Sequence, residues 1–154
     1  MKKTSFVYVT YIRATPERVF QALTDGRVTR EYWGHDNVSD WKPGSVWEHR
    51  EAGGGMVKLT GKVVEFDPPR RLVLTWAAPE DAARPAAHSR VTFELETIED
   101  MVRLTVRHDR LVPGSEMQRG IEAGWPRVLS SLKSFLETGK PLPTWAKAAS
   151  GTRE

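Results

Sequence analysis

The hydrophobic period of this chain changes once, and late. After Pro113-Gly114, Met117, Ile121, Trp125, Val128, Leu132 and Phe135 recur at steps of three or four, whereas residues 37–108 alternate with a period of two. The first pattern predicts one amphipathic helix over 115–137, opened by a capping box in which Gln118 follows Ser115 by three residues, and closed at Gly139. Pro126 has no N–H to bond four residues back, which predicts a kink near Gly124-Trp125. The second pattern predicts strands at 37–41, 45–51, 56–66, 71–76, 89–96 and 101–108. Between them lie Lys42-Pro43-Gly44, Gly53-Gly54-Gly55, Asp67-Pro68-Pro69, the Ala/Pro-rich residues 77–87, and Glu99-Asp100, all turn chemistry. Short connections suit an antiparallel meander. Its late strands each have one apolar face, marked by Leu72, Leu74 and Trp76, then Val91, Phe93 and Leu95, then Val102, Leu104 and Val106. That face has to be buried, and the long helix is the element large enough to bury it.

Ahead of the meander, residues 6–13 read as a strand that is apolar on both sides and is therefore expected to be covered on both faces. Thr15-Pro16-Glu17 is an N-cap, a first-turn proline and a first-turn acid. They open a short helix through Val19, Phe20 and Leu23 to Asp25-Gly26. A second short helix carries Arg30 to Trp33 and stops at Gly34. The expected fold is α+β: a curved antiparallel sheet of about six or seven strands around a long C-terminal helix, with two short helices after strand 1. A single domain over 1–140 and a loose tail over 141–154 complete it, since 154 residues suit one compact domain.

Composition removes several functions. With no Cys, disulfides, thiol nucleophiles and Cys-ligated zinc are excluded. The net charge is +3, from 23 basic and 20 acidic residues scattered along the chain, and no basic stripe suggests a nucleic-acid partner. No apolar run approaches the ~20 residues of a membrane span, and the first residues lead straight into a strand, so a cytoplasmic location is expected.

The side chains that remain for chemistry are aromatic. Trp47, Trp76 and Trp125 fall on positions facing the space between sheet and helix, with Trp33 and Trp41 near its mouth, and Phe93, Met117 and Ile121 complete its expected lining. His49 shares strand parity with Trp47, and His108 continues the series of Val102, Leu104 and Val106, so both are expected to point inward as polar anchors. His35 and His88 lie beside turns and are expected to be exposed. No HxH or HExxH spacing occurs, so no metal site is expected. Glu65 points inward by parity unless a bulge intervenes near Val64. The triple glycine leads into a strand and reads as a hairpin turn, while Arg70-Arg71 reads as a solvated edge. There is no GxSxG elbow and no inward pair of carboxylates, so no catalytic residue and no cofactor is assigned.

Several stretches resemble a known family. The run Ile12-Arg13-Ala14-Thr15-Pro16-Glu17-Arg18-Val19-Phe20-Gln21-Ala22-Leu23-Thr24-Asp25 resembles the entry motif of the START-like, or SRPBCC, superfamily. Tyr32-Trp33-Gly34, Gly61-Lys62-Val63-Val64-Glu65, Pro68-Pro69-Arg70-Arg71-Leu72, and Gly124-Trp125 with Leu129, Leu132 and Leu136 are similar to its branch of activator-of-heat-shock-protein-90-ATPase homologues, here in single-domain form. The resemblance implies the helix-grip, or Bet v 1-like, fold, whose members commonly hold lipids, sterols, polyketides or other apolar molecules between sheet and helix. It leads to three expectations. The first is binding of a hydrophobic or amphipathic, lipid-like or aromatic small molecule. The others are a co-chaperone-like module whose partner is a chaperone or another protein, and an enzyme of cyclase or hydrolase type. A closed apolar cavity with a few inward polar groups, His49, His108 and Glu65, would favour the first, a filled core with an exposed apolar patch the second, and a polar pair within hydrogen-bonding reach inside the cavity the third.

Overall fold

The structure, a computed structural model, describes residues 2–144. Its strands are β1 (Thr4–Ile12), β2 (His35–Ser39), β3 (Val46–Glu51), β4 (Val57–Asp67), β5 (Arg71–Trp76), β6 (Ser89–Ile98) and β7 (Met101–Leu111). All pairings are antiparallel, in the order β1-β7-β6-β5-β4-β3-β2. The chain thus meanders from β2 to β7, and β1 joins β7. Helices α1 (Pro16–Thr24) and α2 (Gly26–Trp33) connect β1 to β2, and α3 (Glu116–Thr138) follows β7. This is the helix-grip arrangement.

Local chemistry sets the helix ends. The Thr15 hydroxyl accepts from the Arg18 N–H, the Asp25 carboxylate from Arg27 N–H, and the Ser115 hydroxyl from Gln118 N–H, each at a helix N-terminus. Gly34 and Gly139 close α2 and α3 with φ of 85° and 82°, a left-handed conformation that glycine adopts without penalty. The long helix remains continuous through Pro126, so the expected kink does not break it. Its buried face, from Ile121 and Trp125 through Val128, Leu129 and Leu132 to Leu136, packs in one cluster with Leu72, Leu74, Val91, Phe93, Leu104 and Val106 of the sheet. Each large aliphatic side chain buried there contributes roughly 1.5–3 kcal/mol.

The strand at the start of the chain differs from expectation. Phe6 and Tyr8 pack on the core and Ile12 is fully buried, but Val7, Val9 and Tyr11 remain 41–45% exposed. Strand β1 lies at one edge of the sheet, and among the described residues no layer covers its outer face; residues of high β propensity occupy it without core packing. In β4 the register slips between Val63 and Glu65. Val63 is buried and Phe66 packs on the core, while Glu65 turns outward to Arg71 at 3.0 Å, and Arg71 pairs in turn with Glu94.

Gly61 has a separate reason. The Trp47 indole N–H reaches the Thr75 carbonyl at 2.7 Å, and a Cβ on residue 61 would stand 1.9 Å from that oxygen and 2.7 Å from the indole nitrogen. Only glycine lets β4 pass this contact. At the other end of the chain, the Ser131 hydroxyl bonds both the carbonyl and the N–H of Leu142, and Thr144 donates to the Trp33 carbonyl. The first residues of the expected tail are therefore docked on α2 and α3. Its remainder, residues 145–154, lies outside the described residues.

Candidate ligand-binding site

Between α3 and the β2–β5 part of the sheet lies a cavity of about 690 Å³. Ligand pockets typically span about 300–1,000 Å³. Helix α3 contributes Met117, Ile121 and Trp125, α2 contributes Trp33, and the strands contribute His35, His49, Leu59 and Trp76. Lys58, Glu80, Asp81 and Glu116 surround its mouth. The rings brace one another: Trp33 lies 5.4 Å from Trp125 and 6.5 Å from Trp76, and Trp76 lies 5.4 Å from Trp125. Indoles that pack mutually cannot turn singly, so this wall is shaped before any ligand arrives.

Of the sidechains that strand and helix parity selects, Trp33, His49, Trp76, Met117, Ile121 and Trp125 stand on the cavity wall. Trp47, Phe93 and His108 face the same way but lie one layer deeper. Trp47 is fully buried, bonded to Thr75, with its ring 5.2 Å behind Trp76. Phe93 meets Trp125 edge-on at 5.7 Å. His108 is fully buried, and both its nitrogens are used. Nδ1 accepts from the Trp125 indole at 3.1 Å, so the ring proton lies on Nε2 and is donated to the Ser89 hydroxyl at 2.8 Å, which donates to the Trp76 carbonyl. Burial pushes its pKa down to about 3. His108 thus stands one layer behind the cavity wall as a neutral brace that orients Trp125.

Three further expectations change. Trp41, at φ 59°, lines a separate groove beside Thr24 and Asp25 and does not stand at the cavity mouth. His88 is half-buried, 2.9 Å from the Thr75 hydroxyl and 3.0 Å from the Asp81 carbonyl, where it pins the connection between β5 and β6. His35 is half-buried, lines the cavity and stacks on His49 with centroids 4.6 Å apart. It escapes the sequence reading because β2 starts two residues before the alternation signals a strand.

His49 is set by the start of the same strand. Asp36 is gripped by the Arg30 guanidinium at 2.8 and 2.7 Å and by Gly53 N–H, while the Asn37 backbone N–H donates to the Thr29 hydroxyl and its side-chain amide donates to the Leu23 carbonyl. These contacts fix β2 against α1 and α2 and present the Asn37 side-chain oxygen to His49 Nδ1 at 2.6 Å. Burial, with repulsion from His35, lowers the His49 pKa to about 3. The Trp76 indole N–H is sealed from solvent and has no acceptor among the described residues. Among the described residues, neither His35 nor His49 contacts a hydroxyl or carboxylate in the way a general acid/base pair requires, and no group of three or more His, Asp or Glu could hold a metal ion. No described helix is long and apolar enough to cross a membrane.

Comparison with known proteins places this geometry. The sequence model of the family described as Activator of Hsp90 ATPase homolog 1-like protein matches residues 13–137. A search of the curated proteins returned no match. Among solved structures, the Aha1 dimer from Colwellia psychrerythraea is 27% identical with a TM-score of 0.73, over 88% of this chain and 98% of that one. A protein from Cytophaga hutchinsonii is 28% identical with a TM-score of 0.68, over 88% and 94%. An HSP90 activator from Plasmodium falciparum, 22% identical with a TM-score of 0.72 over 87% and 96%, shares the fold. Since the matched residues run from the end of β1 to the last turn of α3, the chain belongs to the family of Activator of Hsp90 ATPase homolog 1-like proteins.

Proposed function

We propose that this protein binds an apolar or amphipathic aromatic small molecule in the cavity between α3 and the sheet. The observation that carries this reading is the wall itself: three mutually packed indoles around about 690 Å³ of space, with charged groups only at the mouth. A core built only for stability would close on that space, because interiors pack to crystal density and a void forfeits contacts.

A co-chaperone-like module with a protein partner such as Hsp90 is the second reading. It is favoured by the family, and by the uncovered apolar row of Val7, Val9 and Tyr11 on β1. The two readings separate in a titration with the neutral probe N-phenyl-1-naphthylamine. Binding in the cavity is expected to raise probe emission, quench tryptophan emission and raise the melting temperature, since a ligand at a hundred times its Kd adds about 2.7 kcal/mol to native stability. A titration to the solubility limit with no change in emission or melting would overturn the ligand reading in favour of the protein-interaction module.

A further inference from the structure

His49 is 3% exposed, yet only half of its hydrogen-bonding capacity is met. The Asn37 amide donates through Nδ2 to the Leu23 carbonyl at 3.2 Å, which sets the orientation of the amide and turns Oδ1 toward His49 Nδ1. An amide oxygen only accepts. The proton of the neutral imidazole is therefore on Nδ1, and Nε2 carries a lone pair. No donor among the described residues reaches Nε2, and it is not one of the polar atoms sealed from solvent. The ring cannot swing away to find water, since it is stacked on His35 at 4.6 Å and packed against Trp33 at 4.5 Å. A bare acceptor thus stands on the largely aromatic wall of the cavity, beside the ring of His35.

An apolar ligand would cover this nitrogen without satisfying it, which costs free energy, whereas a ligand with a donor at that point recovers the bond. The mouth adds a second preference. Glu80, Asp81 and Glu116 line it together with Lys58, whose ammonium is drawn to Glu51 at 3.8 Å, and Asp81 is paired with Arg84. A carboxylate-headed ligand would enter against this acidic rim.

We infer that the cavity selects an uncharged aromatic molecule bearing an O–H or N–H donor, such as a phenol or an aromatic amine, whose donor bonds His49 Nε2. This rests on the proposed ligand function and adds the chemical class. It also fixes the sign of a comparison. Hydrophobic burial alone ranks a methyl ether above the parent phenol, because the ether gives up less hydration. Donation to His49 reverses that order.

The test is calorimetric titration near neutral pH with 2-naphthol, 2-methoxynaphthalene and 2-naphthoate. 2-Naphthol is expected to bind about tenfold tighter than its ether, the scale of one well-made hydrogen bond, and naphthoate weakest of the three. His49→Phe is expected to restore the order of plain hydrophobicity, with the ether ahead. Should that variant fail to fold, the ¹⁵N resonance of His49 Nε2 in the unaltered protein gives the same answer: it moves on adding 2-naphthol and stays in place with the ether. An ether that binds as tightly as the phenol, or an Nε2 resonance that ignores the phenol, overturns the inference and leaves the cavity reading standing. Absence of binding by all three overturns both.

Discussion

Lowering the pH from 7 to 5 is expected to remove about 4 kcal/mol from the unfolding free energy, a large fraction of what a domain of this size possesses. His49 and His108 are responsible. Unfolded histidines titrate near 6.5, whereas burial holds both of these down to about 3 in the folded protein. Between those values the unfolded chain binds more protons than the folded one, so stability falls as pH falls. The contribution is complete above about pH 6.5 and is lost progressively toward pH 3, at roughly 2 kcal/mol per histidine by pH 5. His35, lowered chiefly by burial, acts in the same direction. Asp25, Asp36 and Glu137 are held below the usual carboxylate range by Arg27, Arg30 and Lys133, so their loss comes at lower pH and stays out of this window. Urea unfolding at the two pH values measures the difference. In His108→Gln it is expected to shrink to about 2 kcal/mol; equal stability at pH 7 and 5, or an unchanged difference in the variant, would contradict the buried neutral state.

Trp125→Ala is expected to cost about 3–5 kcal/mol, the range for removing a large aromatic side chain from a packed site. The ring is 2% exposed and meets Trp33, Trp76 and Phe93 at once, and its N–H occupies the acceptor nitrogen of His108. Trp125→Phe separates the two contributions. It keeps much of the ring contact but leaves His108 Nδ1 buried without a donor, for a loss of about 1–3 kcal/mol. Chemical denaturation with an unchanged m-value reads both. A loss below about 1 kcal/mol for the alanine variant would mean that Trp125 lies loosely in the cavity and is not part of its frame.

Sequence periodicity reveals this fold wherever one side of an element meets water. Strand β7 alternates cleanly because its outer face meets solvent, β5 and β6 follow the same parity except at buried Val73 and Thr92, and the caps at Thr15 and Ser115 are local chemistry that needs no tertiary information. Strand β1 misleads for the opposite reason: an edge strand with Val7, Val9 and Tyr11 outside presents the same two-sided apolar pattern as a buried one. The bulge at Val63–Glu65 reverses parity with no residue type to announce it.

The site follows the same logic. Parity states which way a side chain points and not how deep it lies, so Trp47, Phe93 and His108 read like wall residues although Trp76 and Trp125 stand between them and the cavity. Asn37 carries no apolar signal. Its role in setting the His49 tautomer exists only through pairing with a residue twelve positions away.

Ligand binding in the aromatic cavity is read residue by residue from the tryptophan indole N–H resonances during titration with N-phenyl-1-naphthylamine. The largest shifts are expected at Trp33, Trp76 and Trp125 on the wall, with Trp47 held by its bond to the Thr75 carbonyl and Trp41 in its separate groove changing least. Shifts concentrated at Trp41 or along the Val7–Tyr11 face of β1, with the three wall indoles unmoved, would contradict binding in the cavity.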